Sequence, residues 1–364
     1  TEIYTLSLHD ALPISPNDGL EDGDTQSVAT VVNNRPTVSN LSLDADPVTT
    51  TDADLICSAD SADDDAHTVT LTYAWTDGGG ATIDNDNNLN VAQLVNNGIL
   101  VEGEAVTCTV TPNDTYENGD AKTVSTTVNH RPVASNLAFT TDPDPVPTTE
   151  TALGCNYSTA DGDGHSITTT VAWEDGAGTT LTYAATLNVQ QLVNNGPLVE
   201  GETITCRVTP NDGLEDGDDQ TVATMVNYRP TVAPSLDETP IVATTAQLTC
   251  SPNGTDLNGQ NMSYFFEWLD NGAAVFYSET TQSTSQINVG TYFGNGTLNE
   301  DDTVTCRVTA NDGLEDGDSG QASTQVNNKP IINSVTLDSK PIVGTQDTSL
   351  NCTVDRSDAD AHTI

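Results

Sequence analysis

Apolar and polar residues alternate in short runs along most of the chain, and clusters of Asn, Asp, Gly and Pro separate these runs. In residues 151–157, Leu153 and Cys155 fall on one side of a two-residue period, and Ile204 and Cys206 do the same in 202–209. This period is typical of β-strands with one buried face. The pattern predicts five strands in this region, at 151–157, 166–174, 187–192, 202–209 and 219–226.

Two of the gaps between these predicted strands are rich in acidic residues. Residues 161–165 are Asp-Gly-Asp-Gly-His, and residues 210–218 are Pro-Asn-Asp-Gly-Leu-Glu-Asp-Gly-Asp. Asn-Asp-Gly is a favoured sequence for a tight turn between antiparallel strands. The second gap therefore predicts a hairpin between the last two strands.

The pattern returns along the chain with a period near 100 residues. Asn-x-Arg-Pro or Asn-x-Lys-Pro ends at Pro36, Pro132, Pro230 and Pro330. Three times a cysteine is followed eighteen residues later by a tryptophan and then by a second cysteine. These sets are Cys57, Trp75 and Cys108; Cys155, Trp173 and Cys206; and Cys250, Trp268 and Cys306. Solenoid repeats are shorter, about 20 to 50 residues, so each unit here is long enough to bury its own core.

The Cys-Trp-Cys spacing resembles the immunoglobulin superfamily, in which a disulfide joins two sheets and an indole packs against it. Residues 201–213, Gly-Glu-Thr-Ile-Thr-Cys-Arg-Val-Thr-Pro-Asn-Asp-Gly, are also similar to the end of bacterial immunoglobulin-like and PKD-type repeats of large surface proteins. The resemblance implies an all-β fold of tandem immunoglobulin-like β-sandwiches. Its implied intersheet disulfides are Cys57–Cys108, Cys155–Cys206 and Cys250–Cys306.

The Arg-Pro and Lys-Pro positions predict the domain boundaries. We expect the end of a truncated repeat at 16–35, complete repeats at 36–131, 132–229 and 230–329, and the start of a truncated repeat at 330–364. The seventh cysteine, Cys352, is expected to find its partner beyond Ile364. Residues 1–15 resemble translated sequencing-adapter sequence, and we exclude them from fold reasoning.

Cysteine pairing and charge limit the location and the partners. Paired cysteines imply an oxidising compartment, so a secreted or cell-surface protein is expected. Nine Lys and Arg against 54 Asp and Glu give a formal charge of -45. Nucleic acid and anionic membranes would repel this chain. No apolar run approaches the length of a membrane span, and no sequence motif for catalysis occurs, so no membrane span and no enzyme activity are predicted within these residues.

In the second repeat, residues 161–165 correspond to the B–C loop of an immunoglobulin-type sandwich and residues 210–218 to its F–G hairpin, and these two lie at the same end. Their acids would therefore converge. The acids of the E–F turn of the preceding repeat, Glu102 and Glu104, would approach them. The arrangement is similar to cadherin junctions, where Ca²⁺ is held by such acids and stiffens the string. The candidate Ca²⁺ ligands are Asp60, Asp63, Asp65, Asp114, Asp120, Asp161, Asp163, Asp212, Asp216, Asp218, Asp312, Asp316, Asp318, Glu102, Glu104, Glu200 and Glu202. Dense oxygen ligands suit Ca²⁺.

The linker leaves two alternatives to calcium open. Cadherins place carboxylates in the linker, whereas this chain places Arg35, Arg131, Arg229 and Lys329 there. These cations would neutralise the acidic loops directly through charge-assisted contacts and make a metal unnecessary. In the third alternative, the acidic Asp-Gly loops are simply well-solvated turns.

One histidine recurs beside the acids. His67, His165 and His362 each lie ten residues after a cysteine, and Gln260 takes that place in the third repeat. A hydrogen bond to a neighbouring Asp that orders the turn is favoured over a zinc or pH-sensing role, because Gln is another hydrogen-bonding side chain.

The expected function is an extracellular spacer or adhesive segment whose partners are its neighbouring repeats. The alternative is a module that recognises a cell-surface or matrix protein or a glycan. Only the third repeat offers an aromatic cluster for recognition, and its members are Tyr264, Phe265, Phe266, Trp268, Phe276, Tyr277, Tyr292 and Phe293. Alternation predicts Tyr264, Phe266 and Trp268 on one face of a strand and Phe265 on the other.

Overall fold

The computed structural model describes residues 15–26, 28, 30–141, 144–280, 283–338, 341, 344 and 349–363. All but the last residue of the adapter-like segment, 1–15, lies outside the described residues. The described part is almost entirely β-structure with three short helices, as the alternating pattern predicts. None of its helices is long and apolar enough to cross a membrane.

Each complete repeat forms a three-stranded and a four-stranded antiparallel sheet. The first contains β1 (Thr37–Leu43), β2 (Leu55–Ala62), β3 (Thr70–Thr76), β4 (Thr82–Asp84), β5 (Asn88–Leu89), α1 (Val91–Asn96), β6 (Ala105–Asn113) and β7 (Lys122–Thr127). Its sheets have the orders β1-β2-β5 and β4-β3-β6-β7. Along β6, buried and partly exposed residues alternate strictly, so one face of the strand lies in the core.

The second and third repeats follow the same plan. The second contains β8 (Val133–Phe139), β9 (Leu153–Ala160), β10 (Thr168–Glu174), β11 (Thr180–Thr182), β12 (Thr186–Leu187), α2 (Val189–Asn195), β13 (Thr203–Asn211) and β14 (Gln220–Met225). The third contains β15 (Ser235–Leu236), β16 (Leu248–Ser251), β17 (Ser263–Asp270), β18 (Ala273–Thr280), β19 (Ser285–Ile287), α3 (Val289–Gly294), β20 (Thr303–Asn311) and β21 (Gly320–Gln325). After it, β22 (Ile331–Leu337) pairs with β23 (Cys352–Ser357).

The three predicted disulfides are present, and each joins the two sheets of one sandwich. They are Cys57–Cys108, Cys155–Cys206 and Cys250–Cys306. The tryptophans Trp75, Trp173 and Trp268 are fully buried. Each indole N–H donates a hydrogen bond: Trp75 to the carbonyl of Asp86, for example, at 2.9 Å. Exposed Cys352 has no disulfide partner within the described residues, and the expectation of a partner beyond Ile364 stays a prediction.

One predicted strand was wrong. Residues 187–192 are not a strand, because the chain leaves β12 at Leu187 and enters helix α2 at Val189. Asn188 causes the change: its side chain accepts a hydrogen bond from the backbone N–H of Gln191 at 2.8 Å and caps the helix. Apolar residues spaced for a short strand also suit one helical turn, so alternation alone did not distinguish them.

The chain divides into two compact units. The first consists of Thr1–Asn136, Tyr157–Thr170 and Val208–Gln220, and the second of Leu137–Asn156, Val171–Arg207 and Thr221–Ile364. The first unit holds the core around Trp75, and the second holds the core around Trp268. The linker at 129–132 and the acidic loops that it contacts belong to the first unit. The linker at 227–230 and the acidic loops that it contacts belong to the second unit.

Candidate functional site

The linker residues contact acidic side chains of the following repeat. In the linker at 129–132, the most buried of these contacts is made by Asn129. This side chain is fully buried, and its Nδ2 donates to Asp212 Oδ2 at 2.7 Å and to Glu215 Oε1 at 3.0 Å. Both carboxylates belong to the F–G hairpin, residues 210–218, and both are buried. A single amide therefore satisfies two buried anions.

Thr50 completes the set of donors around Glu215. The backbone N–H of Thr50 donates to Glu215 Oε1 at 3.1 Å, and its hydroxyl donates to Oε2 at 2.7 Å. Because Thr50 and Asn129 belong to the first sandwich and Glu215 to the next, this carboxylate joins two repeats. A buried carboxylate left without donors would be strongly destabilising, so these bonds hold the two elements together.

The same arrangement occurs in the second unit. Asn227 donates to Asp312 Oδ2 at 2.7 Å and to Glu315 Oε1 at 3.0 Å. Thr148 donates its N–H to Glu315 Oε1 at 3.0 Å and its hydroxyl to Oε2 at 2.6 Å. Its repetition in separate units makes the contact a property of the repeat.

Hydrogen bonding lowers the pKa of Asp212 below its ordinary value. Burial acts to raise the pKa, but the side chain of Asn129 and the backbone N–H groups of Glu215 and Leu214 donate to the carboxylate and outweigh it. The ionised form is therefore the one that this site stabilises.

Arg131 joins the E–F turn of one repeat to the F–G hairpin of the next, two regions that the sequence predicted to meet. Its Nε donates to Glu102 Oε1 at 2.7 Å, and its Nη1 donates to Asp218 Oδ1 at 2.9 Å. The hydrogen bond that Arg131 donates to Glu102 raises the pKa of Arg131, burial opposes this effect, and the charge of Asp218 adds to it. Glu102 lies in the E–F turn of one repeat and Asp218 in the hairpin of the next.

Arg229 repeats this bridge with one weaker contact. It donates to Glu200 Oε1 at 2.6 Å, while its Nη1 lies 3.6 Å from the exposed Asp318. Arg35 contacts Glu117 at 3.1 Å and lies 3.7 Å from Asp120.

The second linker residue packs its ring on a glycine. A Cβ on Gly103 would lie 2.0 Å from His130 Nε2, and a Cβ on Gly201 would lie 1.9 Å from the Tyr228 ring. Both glycines have φ near +80°, a conformation that also favours glycine. On its other side, the His130 ring lies against Gly162 of the B–C loop. Each linker is therefore fixed by backbone approach as well as by charge.

Several predicted Ca²⁺ ligands lie elsewhere or satisfy their own repeat. Asp60 lies on β2 and accepts a hydrogen bond from Asn40. Asp216 and Asp316 accept from Asn211 and Asn311 of their own hairpins. Glu104 and Glu202 accept from the backbone N–H groups of Val101 and Val199. These carboxylates cap local turns.

The B–C loops bring two acids and a histidine together. Three such triplets occur among the described residues, with their potential ligand atoms within 4.8 Å of one another: Asp63, Asp65 and His67; Asp161, Asp163 and His165; and Asp358, Asp360 and His362. In the first, the backbone N–H of His67 donates to Asp63 Oδ1 at 3.0 Å. The turn-ordering bond expected of the imidazole is thus made by the backbone, and Gln260 makes the same bond to Asp256.

The second acid of each triplet is held by the linker. Asn34 donates its N–H and its Nδ2 to the two oxygens of Asp65, at 2.6 and 3.0 Å. The N–H of His130 donates to Asp163 Oδ2 at 2.7 Å. Each of these linkers therefore contacts the B–C loop that follows it as well as the F–G hairpin.

The third repeat exposes part of its aromatic cluster. Tyr264, Phe266 and Trp268 are buried on one face of β17, and Phe265 is 42% exposed on the other, as alternation predicts. The rings of Phe265 and Tyr277 lie 6.4 Å apart with planes 23° from parallel. Tyr277 is 58% exposed. The pair forms a small aromatic patch on the solvent side of the sheet.

Sequence reasoning did not identify the residues that do most at the junction. The linker asparagines and the threonines at 50 and 148 were not candidates, although Asn recurs at 33, 129, 227 and 327. The recurrence was a usable signal. An uncharged amide does not stand out in a search for metal ligands or ion pairs.

The sequence matches no protein-family model and no curated protein. Among solved structures, the chain is similar to a two-domain fibronectin type III segment of chicken tenascin, with 12% identity over 53% of this chain and 99% of that chain and a TM-score of 0.24. It is similar to a structure described for host cell surface retention of a 1.5-MDa bacterial ice-binding adhesin (13% identity, 81% and 98% coverage, TM-score 0.30). It is also similar to immunoglobulin domains 1–5 of Sidekick-1 (10% identity, 88% and 67% coverage, TM-score 0.29).

The fold class rests on the chain's own sheets, disulfides and buried tryptophans. Together they define tandem immunoglobulin-like β-sandwiches.

Proposed function

We propose that this chain is an extracellular structural or adhesive segment whose successive sandwiches are held by direct contacts between the linker and the acidic loops. The observation that carries the proposal is the set of donors around Glu215, to which Thr50 and Asn129 contribute from the preceding repeat. Three disulfides support an extracellular location, since such bonds persist in oxidising compartments.

The linker contacts restrict bending where two repeats meet. Bending between Asn129 and the hairpin would separate a buried amide from two buried carboxylates, and each lost charge-assisted bond costs about 1.5 to 3 kcal/mol. Arg131, which follows in the same linker and lies nearer the surface, adds a second contact with the hairpin through Asp218. Two attachments on one short linker oppose rotation as well as separation.

Calcium at the junctions is the alternative stiffening mechanism. It is supported by the density of carboxylates near the linkers, with Asp163 and Asp218 beside Asp212 and Glu215 in the first unit. Against it, the oxygens of Asp212 and Glu215 already accept hydrogen bonds from the protein. The geometry therefore favours the linker contacts over the metal.

One experiment separates these two mechanisms. The melting of the full chain and its flexibility by small-angle scattering are measured on metal-free protein with and without added Ca²⁺, for the wild type and for the Asn129→Ala, Asn227→Ala double variant. The linker mechanism predicts no heat of Ca²⁺ binding, no change on adding Ca²⁺, and a more flexible variant. A Ca²⁺ effect equal in size to that of the double variant would overturn it in favour of calcium.

Recognition of a glycan or of a cell-surface or matrix protein is the second candidate function. It is favoured by the exposed, nearly parallel rings of Phe265 and Tyr277, because such rings stack on sugar faces and on apolar side chains. The test is binding of the full chain and its Phe265→Ala, Tyr277→Ala variant to a panel of neutral oligosaccharides. Binding that disappears in the variant supports recognition, and absence of binding to the whole panel removes the glycan form of this candidate.

A further inference from the structure

The B–C loops of the first two repeats contain polar atoms that the protein leaves unsatisfied. The side chain of Asp63 is only 1% exposed and that of Asp161 only 2%. Their Oδ1 atoms accept backbone hydrogen bonds, but the Oδ2 atoms have no partner within the described residues. A buried carboxylate oxygen without a donor costs free energy, so a cation that bound there would be stabilised by it.

The imidazole beside each of these carboxylates is also without a partner at its buried nitrogen. Nδ1 of His67 and of His165 has no hydrogen bond to the described residues. It lies 3.6 Å from Asp63 Oδ1 in the first loop and 3.7 Å from Asp161 Oδ1 in the second. These separations exceed the range of about 2.7 to 3.2 Å for a hydrogen bond. An ion between the two groups would satisfy both.

We propose that the two B–C loops, residues 63–67 and 161–165, each bind a divalent transition metal of the zinc class through the two Asp carboxylates and the His Nδ1. In each loop, one potential ligand atom from each of the three residues already lies within 4.8 Å of the other two. Adjacent ligands on a tetrahedral Zn²⁺, with bonds of about 2.0 to 2.1 Å, are about 3.3 Å apart, so small side-chain rotations complete the site.

Ligand chemistry selects zinc over calcium in these loops. Ca²⁺ takes six to eight oxygens, whereas each loop offers two carboxylates and one nitrogen. An imidazole nitrogen is a good ligand for Zn²⁺ and other transition metals. The site leaves a fourth position for water, because the histidine side chains are one-third exposed.

The linker supplies the outer support that such sites use. Asn34 donates to both oxygens of Asp65, and the N–H of His130 donates to Asp163 Oδ2. Hydrogen bonds of this kind fix the orientation of a carboxylate ligand. The metal would therefore bind the part of each sandwich that its linker already contacts, without replacing the contacts of the proposed function.

The third repeat is an internal control. Its loop has Asp256, Asn258 and Gln260 where the others have Asp, Asp and His. Asp256 Oδ2 is also buried without a partner within the described residues, but this loop has neither a second carboxylate nor an imidazole beside it. This loop is therefore not expected to bind metal.

The test is zinc binding by the full chain, carried out in a His362→Gln background so that the more exposed triplet at 358–362 does not contribute. Metal-free protein is titrated with ZnCl₂ in excess Ca²⁺, and retained zinc is counted after gel filtration. We expect two Zn²⁺ per chain. His67→Gln and His165→Gln should each remove one, and the double variant should retain none. Co²⁺ should give an absorption band in the parent that the double variant lacks.

The His→Gln changes copy the natural third loop, so the metal-free variants should melt within about 2 °C of the parent. As a gain of function, Asn258→Asp with Gln260→His should add one zinc. Equal zinc retention in the parent and the double variant would overturn the proposal, as would no retention in the parent. Displacement of zinc by Ca²⁺ at these loops would also overturn it.

Discussion

The linkers at 129–132 and 327–330 share a sequence pattern but differ in what they contact. The side chain of Asn129 is fully buried and donates to Asp212 and Glu215, whereas the side chain of Asn327 donates, within the described residues, to the neighbouring carbonyl of Asn328. Arg131 bridges two carboxylates, while Lys329 lies 5.9 Å from the centre of the Phe293 ring. The F–G hairpin at 210–218 supplies both buried partners of Asn129 and one partner of Arg131, so this hairpin gives the linker at 129–132 its contacts. The two linkers also differ in sequence, with Arg131 where the later one has Lys329.

The largest expected effect comes from adding a side-chain atom where the F–G hairpin packs against the backbone of linker residue Pro132. In Gly217→Ala, the added Cβ would lie 1.7 Å from the Pro132 carbonyl, so the hairpin and the linker must separate. We expect a loss of about 3 kcal/mol or more in unfolding free energy, measured by denaturant titration. Gly213→Ala is the control, since its Cβ meets nothing within 4 Å and only its positive φ is strained. Equal losses in both variants would contradict the docked linker.

Removing the buried amide tests the comparison directly. Asn129→Ala leaves two buried carboxylates with fewer donors, and we expect it to cost about 3 kcal/mol. Asn327→Ala should cost less than about 0.5 kcal/mol, because its amide contacts only a local carbonyl. Denaturant unfolding of the two variants measures the difference. Similar costs would show that both linkers depend on local structure alone.

Acid should weaken the docked linker. The pKa of Asp212 is lowered in the folded protein, so its contribution to stability is complete above the ordinary value of 3.8 and is lost as the pH falls through the lowered pKa. The stability difference between the wild type and Asn129→Ala should be constant from pH 7 to about 4 and should shrink as the pH falls further. Thermal melts across this range measure it. A difference that grows in acid would be inconsistent with an ionised Asp212.

The smallest effect is expected at the arginines. Arg131→Lys copies the residue of the later linker and cannot reach Glu102 and Asp218 together, because an ammonium lacks the guanidinium fork. Since the Arg131 side chain is 36% exposed, solvent screens the pairs, and we expect a loss of only about 0.5 kcal/mol. The loss should fall further at 1 M salt. Lys329→Arg is the matched control and should change nothing in the same melts.

Prediction from the sequence succeeded where a residue's role depends on its neighbours in the chain. The alternation in β13 is local, and it predicted this strand correctly. The capping signal at Asn188 is also local, but it was not used, and the segment of α2 was predicted as a strand. The acids of the F–G hairpins were found because the hairpins repeat. Their partners were not all found, because Thr50 and Glu215 lie 165 residues apart in different repeats and an uncharged threonine does not stand out as the partner of an acid.

The sequence by itself determined the module: its length, its disulfides, its buried indoles and the end of the sandwich at which the acids gather. Period and spacing carry that information, because β-strands bury alternate residues and one disulfide fixes two strands. Only the tertiary structure decided how each carboxylate is used. Asp212 accepts from a buried amide and Asp218 from a guanidinium, whereas one oxygen of Asp161 has no hydrogen-bond partner among the residues that the structure describes. The physical reason is that hydrogen bonding and burial depend on distances of a few ångströms between residues far apart in the chain.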